Sequence, residues 1–417
     1  MSTPRLIVDT RPIDPVEDLL AYADPDHPLA WLRRGEGLVA VGEGVALRLA
    51  ASGTDRTALL AEQWRAVVAE AAIDDPVGLP GTGLVGFGAL VFDESSEADS
   101  VLIVPSAVIG RHRGRSWVTR IRVAGAADDD AVAVEPRGYG PHWAGTVGPG
   151  AQTPQSYQGA VRQALEEIAG GALGKVVLAR DLTGTVPSGA DLRRLVRSLS
   201  TGYPDTWVFA VDGLLGASPE TLVTVQGGTV TARVLAGTIG RGADADADTA
   251  ASATLATSTK DLDEHQYAVQ SVVTALRPHT RALASSEQPF LLKLPNLFHL
   301  ATDVEGELAG ASTALDLVGA LHPTAAVAGT PTEAAMEAIR RLEPFDRGRY
   351  AGPVGWVDAA GNGEWAIALR CAQFAASTGD AIAVTAYAGA GIVAGSDPET
   401  ELLETRVKFR PLVDALA

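Results

Sequence analysis

Apolar residues recur along this chain in two rhythms. In Thr57–Ala72 they fall three and four apart, so Leu59, Leu60, Trp64, Val67 and Val68 share one face and the spacing predicts a helix. Tyr157–Ile168 and Thr259–Leu276 repeat that rhythm. Elsewhere the apolar runs are short and cut by Gly or Pro, the pattern of strands. Leu38–Gly42, Gly83–Phe92, Lys175–Leu178 and Ala381–Ile392 are of this kind. Val208–Val211 and Thr221–Val225 are two more, on either side of a Gly-rich turn. Ser396-Asp397-Pro398-Glu399 reads as a capping box, with Ser396 as N-cap, opening a C-terminal helix. Many strands with few helices, in no regular alternation, predict an α+β fold rather than a βαβ repeat. Ala124–Pro154, rich in Ala, Gly, Asp and Pro, reads as a linker or excursion, and Ala243–Asp248 as an exposed loop.

Composition narrows the functional classes. The 417 residues suit two or three domains, or one large α/β domain. A formal net charge of -18 and a pI near 4.8 argue against a nucleic-acid or anionic-membrane partner, since both need basic surface. An anionic ligand would need a local cluster of Lys, Arg or metal. The single cysteine, Cys371, excludes an intramolecular disulfide, and its apolar run, Ala366–Ala372, makes it a core residue. The first residues lack the apolar stretch of a signal peptide, and no run of about 18 apolar residues exists. The expectation is a cytoplasmic protein.

Candidate chemistry lies in the second half. Lys175 opens a strand after Gly174 and serves as a base only if its pKa falls from the free value near 10.4. Glu220, after Ser218-Pro219, sits at a turn between two apolar strands, a place for a general acid or a solvated carboxylate. Gly237 permits a close backbone approach, and Thr238 offers a hydroxyl. Asp261, Glu264 and His265 share one helical face, either a solvated one or part of a metal site needing a second source of ligands. Glu401, Glu404 and Lys408 fall on successive turns of the C-terminal helix. Arg370 ends an apolar strand, where a charge is costly unless paired, so it suits a carboxylate clamp, with Tyr350 bonding the same ligand. Gly389 and Gly391 can offer N–H groups to an anion, but Gly389-Ala390-Gly391 lacks dinucleotide-fold spacing. His299 reads as structural; His322 precedes a turn-fixing Pro323.

The order and spacing of Gly174–Arg180, Ser218–Glu220, Leu235–Thr238, Ser258–His265, Leu321–Thr324 and Ala388–Ile392, running to Glu404–Lys408, resemble the chorismate-utilising enzymes. Within them the likeness is to the isochorismate synthases. It covers about residues 155–412 and is fainter over 1–150. The resemblance implies a large two-layer β-sandwich flanked by helices, one domain over 1–417. In it, 1–150 contributes to the sandwich and 155–412 is the chorismate-binding catalytic portion. It further implies that Lys175 activates water, Glu220 donates a proton, and Glu264 and Glu404 bind Mg²⁺. Gly237, Thr238, His322, Tyr350, Arg370, Gly389, Gly391 and Lys408 would contact chorismate. Anthranilate-forming relatives carry Gln at the position of Lys175 and use ammonia. Aminodeoxychorismate synthases carry a nucleophilic Lys where this chain has Ala236. Neither chemistry fits, so a monomer without an amidotransferase subunit is expected. The close alternative is a salicylate synthase, which also eliminates pyruvate. His322-Pro323-Thr324 favours the isochorismate synthases, and some salicylate-forming relatives have Glu where this chain has Val407. A non-catalytic protein that kept the fold is disfavoured because Lys175 and Glu220 are both present.

Overall fold

The computed structural model describes residues 4–125, 133–242, 244–293, 297–377 and 379–417, without the side chains of Thr238, Lys260, Glu264 and Leu297. Its strands form two large, mostly antiparallel sheets, and each sheet draws strands from both ends of the sequence. The first runs from Thr146–Pro149 through Lys175–Pro187, Ala381–Ile392, Cys371–Phe374, Leu214–Ser218 and Trp207–Val211 to Ala30–Arg33 and the N-terminal strands. The second runs from Thr280–Ser285 through Leu297–Leu308, Thr229–Gly240, Thr221–Gln226, Gly363–Ile367 and Pro353–Asp358 to Val85–Ala89, Ser100–Pro105 and Val45–Ala51.

The main core lies between the sheets. Trp31, Trp117 and Phe209 of the first meet Phe87, Val223 and Trp365 of the second, all buried. A second core covers the outer face of the first sheet. There Val186, Val384 and Ala386 pack under Leu195 and Leu199 of the helix Arg193–Gly202 and Phe409 and Leu412 of the helix Pro398–Leu416. A sheet apolar on both faces explains why strands such as Trp207–Val211 read as unbroken apolar runs. The architecture is the α+β sandwich that the resemblance implied.

Two of the chain's passages between the sheets lie side by side. Ser218-Pro219-Glu220 leads from the first sheet to the second, and Ala368-Leu369-Arg370 leads back. The crossings are laced together: Ser218 Oγ donates to the Ile367 carbonyl at 2.5 Å, Ile367 N to the Glu220 carbonyl at 3.0 Å, and Ala217 N to the Arg370 carbonyl at 3.2 Å.

Several expectations change. The first helix runs Arg56–Glu70; it buries Leu60, Trp64 and Val67 but leaves Leu59 42% exposed, since the covered stripe is narrower than the apolar one. The Gly-rich turn before Thr221 contains a fully buried strand, Leu214–Ser218. The exposed loop expected at Ala243–Asp248 is largely the start of a helix, Ala245–Thr257, capped by Asp244; Ala243 lies outside the described residues. The described part of Ala124–Pro154 is no loose linker. Thr146–Pro149 pairs with the Lys175 strand, and Tyr139 and Trp143 pack on the second core. Asp397, not Ser396, caps the C-terminal helix, accepting from Thr400 N at 2.9 Å; Pro398 at the first helical position places the cap one residue later.

Candidate active site

The strand Lys175–Pro187 is the backbone of the site. Along Val176–Pro187 one edge pairs with Ala381–Ile392, which places Gly391 opposite Val177 and Gly389 opposite Ala179. The other edge is discontinuous. Gly329–Thr330 covers Lys175 and Val176, Thr146–Pro149 covers Leu182–Thr185, and among the described residues no strand covers the stretch between. A buried ion pair fills the gap. Glu343 Oε1 accepts from Ala179 N at 2.7 Å, and Arg347 Nη2 donates to the Val177 carbonyl at 2.7 Å and to Glu343 Oε1 at 2.6 Å. Arg347 Nη1 reaches the Val327 carbonyl at 3.2 Å, and its guanidinium lies 4.4 Å from the ring centre of Phe92. The strand that presents Lys175 is thus held on both edges.

At Gly389 an added Cβ would stand 2.8 Å from the Leu178 carbonyl oxygen and 3.1 Å from the Tyr350 hydroxyl, so glycine is required there; at Gly391 it would crowd Lys175 Cε at 3.1 Å. Val177 and Ala179 use their N–H groups on the far edge, so their antiparallel partners Gly391 and Gly389 turn their peptide groups away from the Lys175 strand. Lys408 meets them there: its Nζ donates to the Gly389 carbonyl at 2.9 Å and pairs with Glu404 Oε1 at 2.6 Å. Glu220 faces the same space. Burial raises its carboxyl above the ordinary value, while the positive charges of Lys175 and Lys408 act to lower it. Tyr350 is buried and stacked on Tyr387 at 5.1 Å between centroids; burial raises its pKa too.

The second sheet closes the space. Gly237, at φ +77°, sits in a bulge between Ala236 and Thr238 opposite His299 and Leu300. His299 hydrogen-bonds the Gly237 backbone and feels both Lys175 and Lys408; burial first, and then those charges, lower its pKa. Arg370, in its crossing, holds φ +49°, a left-handed conformation for a non-glycine residue. Burial lowers its pKa.

Other predicted residues are placed differently. His322 ends the helix Ala314–Leu321; its Nε2 bonds the Phe92 carbonyl at 3.1 Å and its ring meets Phe92 edge-on. It braces the wall behind Arg347 instead of reaching the Lys175 space. His265 is spent on fastening its helix to the sheet, through the Ala236 carbonyl at 3.0 Å and Thr302 Oγ1 at 2.7 Å. Asp261 is engaged with Ser258 at the start of that helix. Of the Asp261, Glu264 and His265 face, left open between a solvated face and part of a metal site, Asp261 and His265 are engaged within the protein. The side chains of Glu264 and Thr238 lie outside the described residues. Val407 is 63% exposed, so the Glu that some relatives carry there would stand in solvent. One group was named but given no role: Glu401, three residues before Glu404, is buried, and burial raises its pKa while Ser396 acts to lower it and Glu404 to raise it. Its spacing from Glu404 was the available signal. A cavity of about 240 Å³ lined by Trp31, Trp117, Trp207 and Trp356 contains none of these groups.

The family model for chorismate binding enzymes matches residues 3–417. The chain belongs to this family. It is 44% identical over 275 residues to isochorismate synthase DhbC of Bacillus subtilis, covering 63% of this chain and 68% of the relative. It is 33% identical over 430 residues to the salicylate biosynthesis isochorismate synthase of Pseudomonas aeruginosa, covering 97% and 88%. The solved structure of MenF, the menaquinone-specific isochorismate synthase of Escherichia coli, superposes with a TM-score of 0.75 at 25% identity, covering 100% of this chain and 96% of that one. Among chorismate binding enzymes, then, this chain keeps its acidic and basic groups on the two layers and on the C-terminal helix that flanks them.

Two outcomes follow from this geometry. Arg347→Met leaves the Glu343 carboxylate buried without its partner, and urea denaturation should show a loss of about 3–5 kcal/mol; Glu343→Gln added to Arg347→Met should recover part of it. His322 is held neutral, its pKa lowered by burial to about 4 from an ordinary 6.5. The unfolded chain therefore binds the extra proton first. Stability should fall as pH drops from about 6.5 to about 4, and His322→Gln should flatten that slope by up to about 3 kcal/mol in denaturation measured across this range.

Proposed function

We propose that this chain is an isochorismate synthase, converting chorismate reversibly to isochorismate. The observation that carries the reading is Glu220, a buried carboxyl with a raised pKa facing two lysines, Lys175 and Lys408. A carboxyl shifted toward its protonated form by burial, with a lysine across from it, is suited to act with that lysine as proton donor and proton acceptor. Lys175 takes a proton from water as that water bonds to carbon 2 of the ring. The double bonds shift, and the hydroxyl on carbon 4 departs with the proton of Glu220. One water enters and one leaves, so atoms balance, and the pair resets by proton exchange with solvent. Arg370, Tyr350 and Lys408 hold carboxylate and hydroxyl oxygens of the substrate, and the N–H groups of Gly389 and Gly391 face the same ligand. In a chain of net charge -18, this local cluster supplies the positive field the substrate needs.

The acidic residues fit Mg²⁺. Glu401 and Glu404 stand one turn apart on the C-terminal helix, and a buried carboxylate beside a second one offers the hard oxygen donors this ion takes. The family resemblance adds Glu264 as a further donor, on the helix Thr259–Leu276, which packs against the strand carrying Ala236 and Gly237. Bound there, the ion would neutralise a carboxylate of the substrate and fix its orientation. Product destination follows the cell: relatives are named for both menaquinone and salicylate biosynthesis.

Purified protein with chorismate and MgCl₂ should yield isochorismate by chromatography, without pyruvate or salicylate; release of pyruvate would turn the reading to a salicylate synthase. Lys175→Ala and Glu220→Gln should each cost about 10²–10⁴ in turnover while retaining chorismate binding. Near-normal turnover in Lys175→Ala would place the base elsewhere. Chelation should abolish activity and Mg²⁺ restore it, and Glu404→Gln should need far more Mg²⁺ with an unchanged melting curve.

A further inference from the structure

Tyr350 is buried, yet among the described residues its hydroxyl has no hydrogen-bond partner, so ring packing aims it. That packing is a continuous stack. The Arg347 guanidinium lies 4.4 Å from the ring centre of Phe92 and 5.8 Å from that of Tyr350. Tyr350 stacks on Tyr387 with 5.1 Å between centroids and 14° between planes, and Tyr387 meets Phe345 at 5.8 Å and 45°. Phe345, Arg347 and Tyr350 all come from the segment that follows the helix Thr332–Leu342. Tyr387 comes from the strand Ala381–Ile392, where alternation puts it on the same face as Gly389 and Gly391. Its ring fastens that segment to the strand of the site. A cavity of about 420 Å³ adjoins both tyrosines, with Leu214, Arg349 and Gln373 among its other walls, so a Tyr350 ring released from the stack has room to turn.

We propose that Tyr387 is a positioning residue for chorismate binding: its ring keeps the Tyr350 hydroxyl over Gly389, aimed at the substrate. This rests on the isochorismate synthase reading, in which Tyr350 holds a substrate oxygen. The strand itself supports it. An added Cβ at Gly389 would stand 3.1 Å from the Tyr350 hydroxyl, so Tyr350 reaches from the Tyr387 ring to Gly389, two residues further along the same face. Among the described residues the Tyr387 hydroxyl has no hydrogen-bond partner either, so the flat face is what acts. A pair of stacked rings fixes both tilt and distance. An aliphatic side chain of similar bulk would fill the place without fixing the angle.

The test is a double-mutant cycle on chorismate kinetics. Tyr350→Phe should raise KM about tenfold with kcat within about threefold, the loss expected when one hydrogen bond to a charged ligand goes. Tyr387→Leu should raise KM about fivefold, and Tyr387→Phe, which keeps the ring, should hold it within about twofold of the wild type. In the Tyr350→Phe background Tyr387→Leu should add less than about twofold, because no hydroxyl is left to aim. A Tyr387→Leu effect as large in that background as in the wild type would overturn the proposal. So would a wild-type KM in Tyr387→Leu, or an equal loss in Tyr387→Phe. Should Tyr387→Leu not fold, Tyr387→Met takes its place; failure of both to fold would make the residue structural only and overturn the proposal as well. Calorimetric chorismate affinities of the same proteins run the cycle without turnover. A wild type that binds chorismate but makes no isochorismate would therefore sink the functional reading and leave the cycle to decide the role of Tyr387.

Discussion

The structure depends on one buried ion pair. Glu343 and Arg347 sit four residues apart, just past the end of the helix Thr332–Leu342, with side chains 1% and 3% exposed, and in isolation such a pair would cost more in lost hydration than it returns. Here it is repaid by backbone. Three hydrogen bonds reach the Glu343 oxygens, two of them from Arg347 and one from Ala179 N, and Arg347 serves the Val177 and Val327 carbonyls besides. These are the groups a neighbouring strand would have satisfied. The pair replaces two rungs of a ladder with side chains, which lets Gly329–Thr330 and Thr146–Pro149 approach the same strand from different directions. Tyr350 depends on it too, through its N–H to the Arg347 carbonyl at 2.9 Å.

How much of this could be read beforehand varies with the physics of each element. The helix Thr259–Leu276 and the strand Ala381–Ile392 match their sequence boundaries to the residue, because each is long, regular and bounded by a cap or a change of composition. Leu214–Ser218 escaped because it is buried on both faces, and short apolar residues between glycines carry no alternation to detect. Ala245–Thr257 escaped because alanine-rich turns show no apolar stripe; its signal was Asp244 as cap with Asp246 and Asp248 in the first turn. At the site, Lys175, Glu220, Gly389, Gly391 and Lys408 were legible as motifs and converge on one space. His322 was legible as a motif but not as a brace, since its partner is a backbone carbonyl 230 residues away. Glu343 and Arg347 were invisible: an i,i+4 acid–base pair in a polar stretch reads as solvent-exposed, and only the tertiary fold puts it inside.

The acidity of the chain and the anionic substrate are reconciled by separation. The carboxylates that pair with arginine on the surface, such as Asp303 with Arg233 and Asp205 with Arg34, lie outside the Lys175 space. Facing it are Glu220, its pKa raised by burial, and Glu401 and Glu404 on the helix of Lys408, the carboxylates to which the proposed chemistry is assigned.

The twin crossings between the sheets carry a consequence for how the protein fails. Glu220 belongs to one crossing and Arg370 to the other, and the two are stitched together by Ser218, Ile367 and Ala217. A slip of one layer over its partner would drag both residues out of alignment at once. Under the roles proposed for Glu220 and Arg370, heat that parts the layers would take turnover and tertiary contact away together.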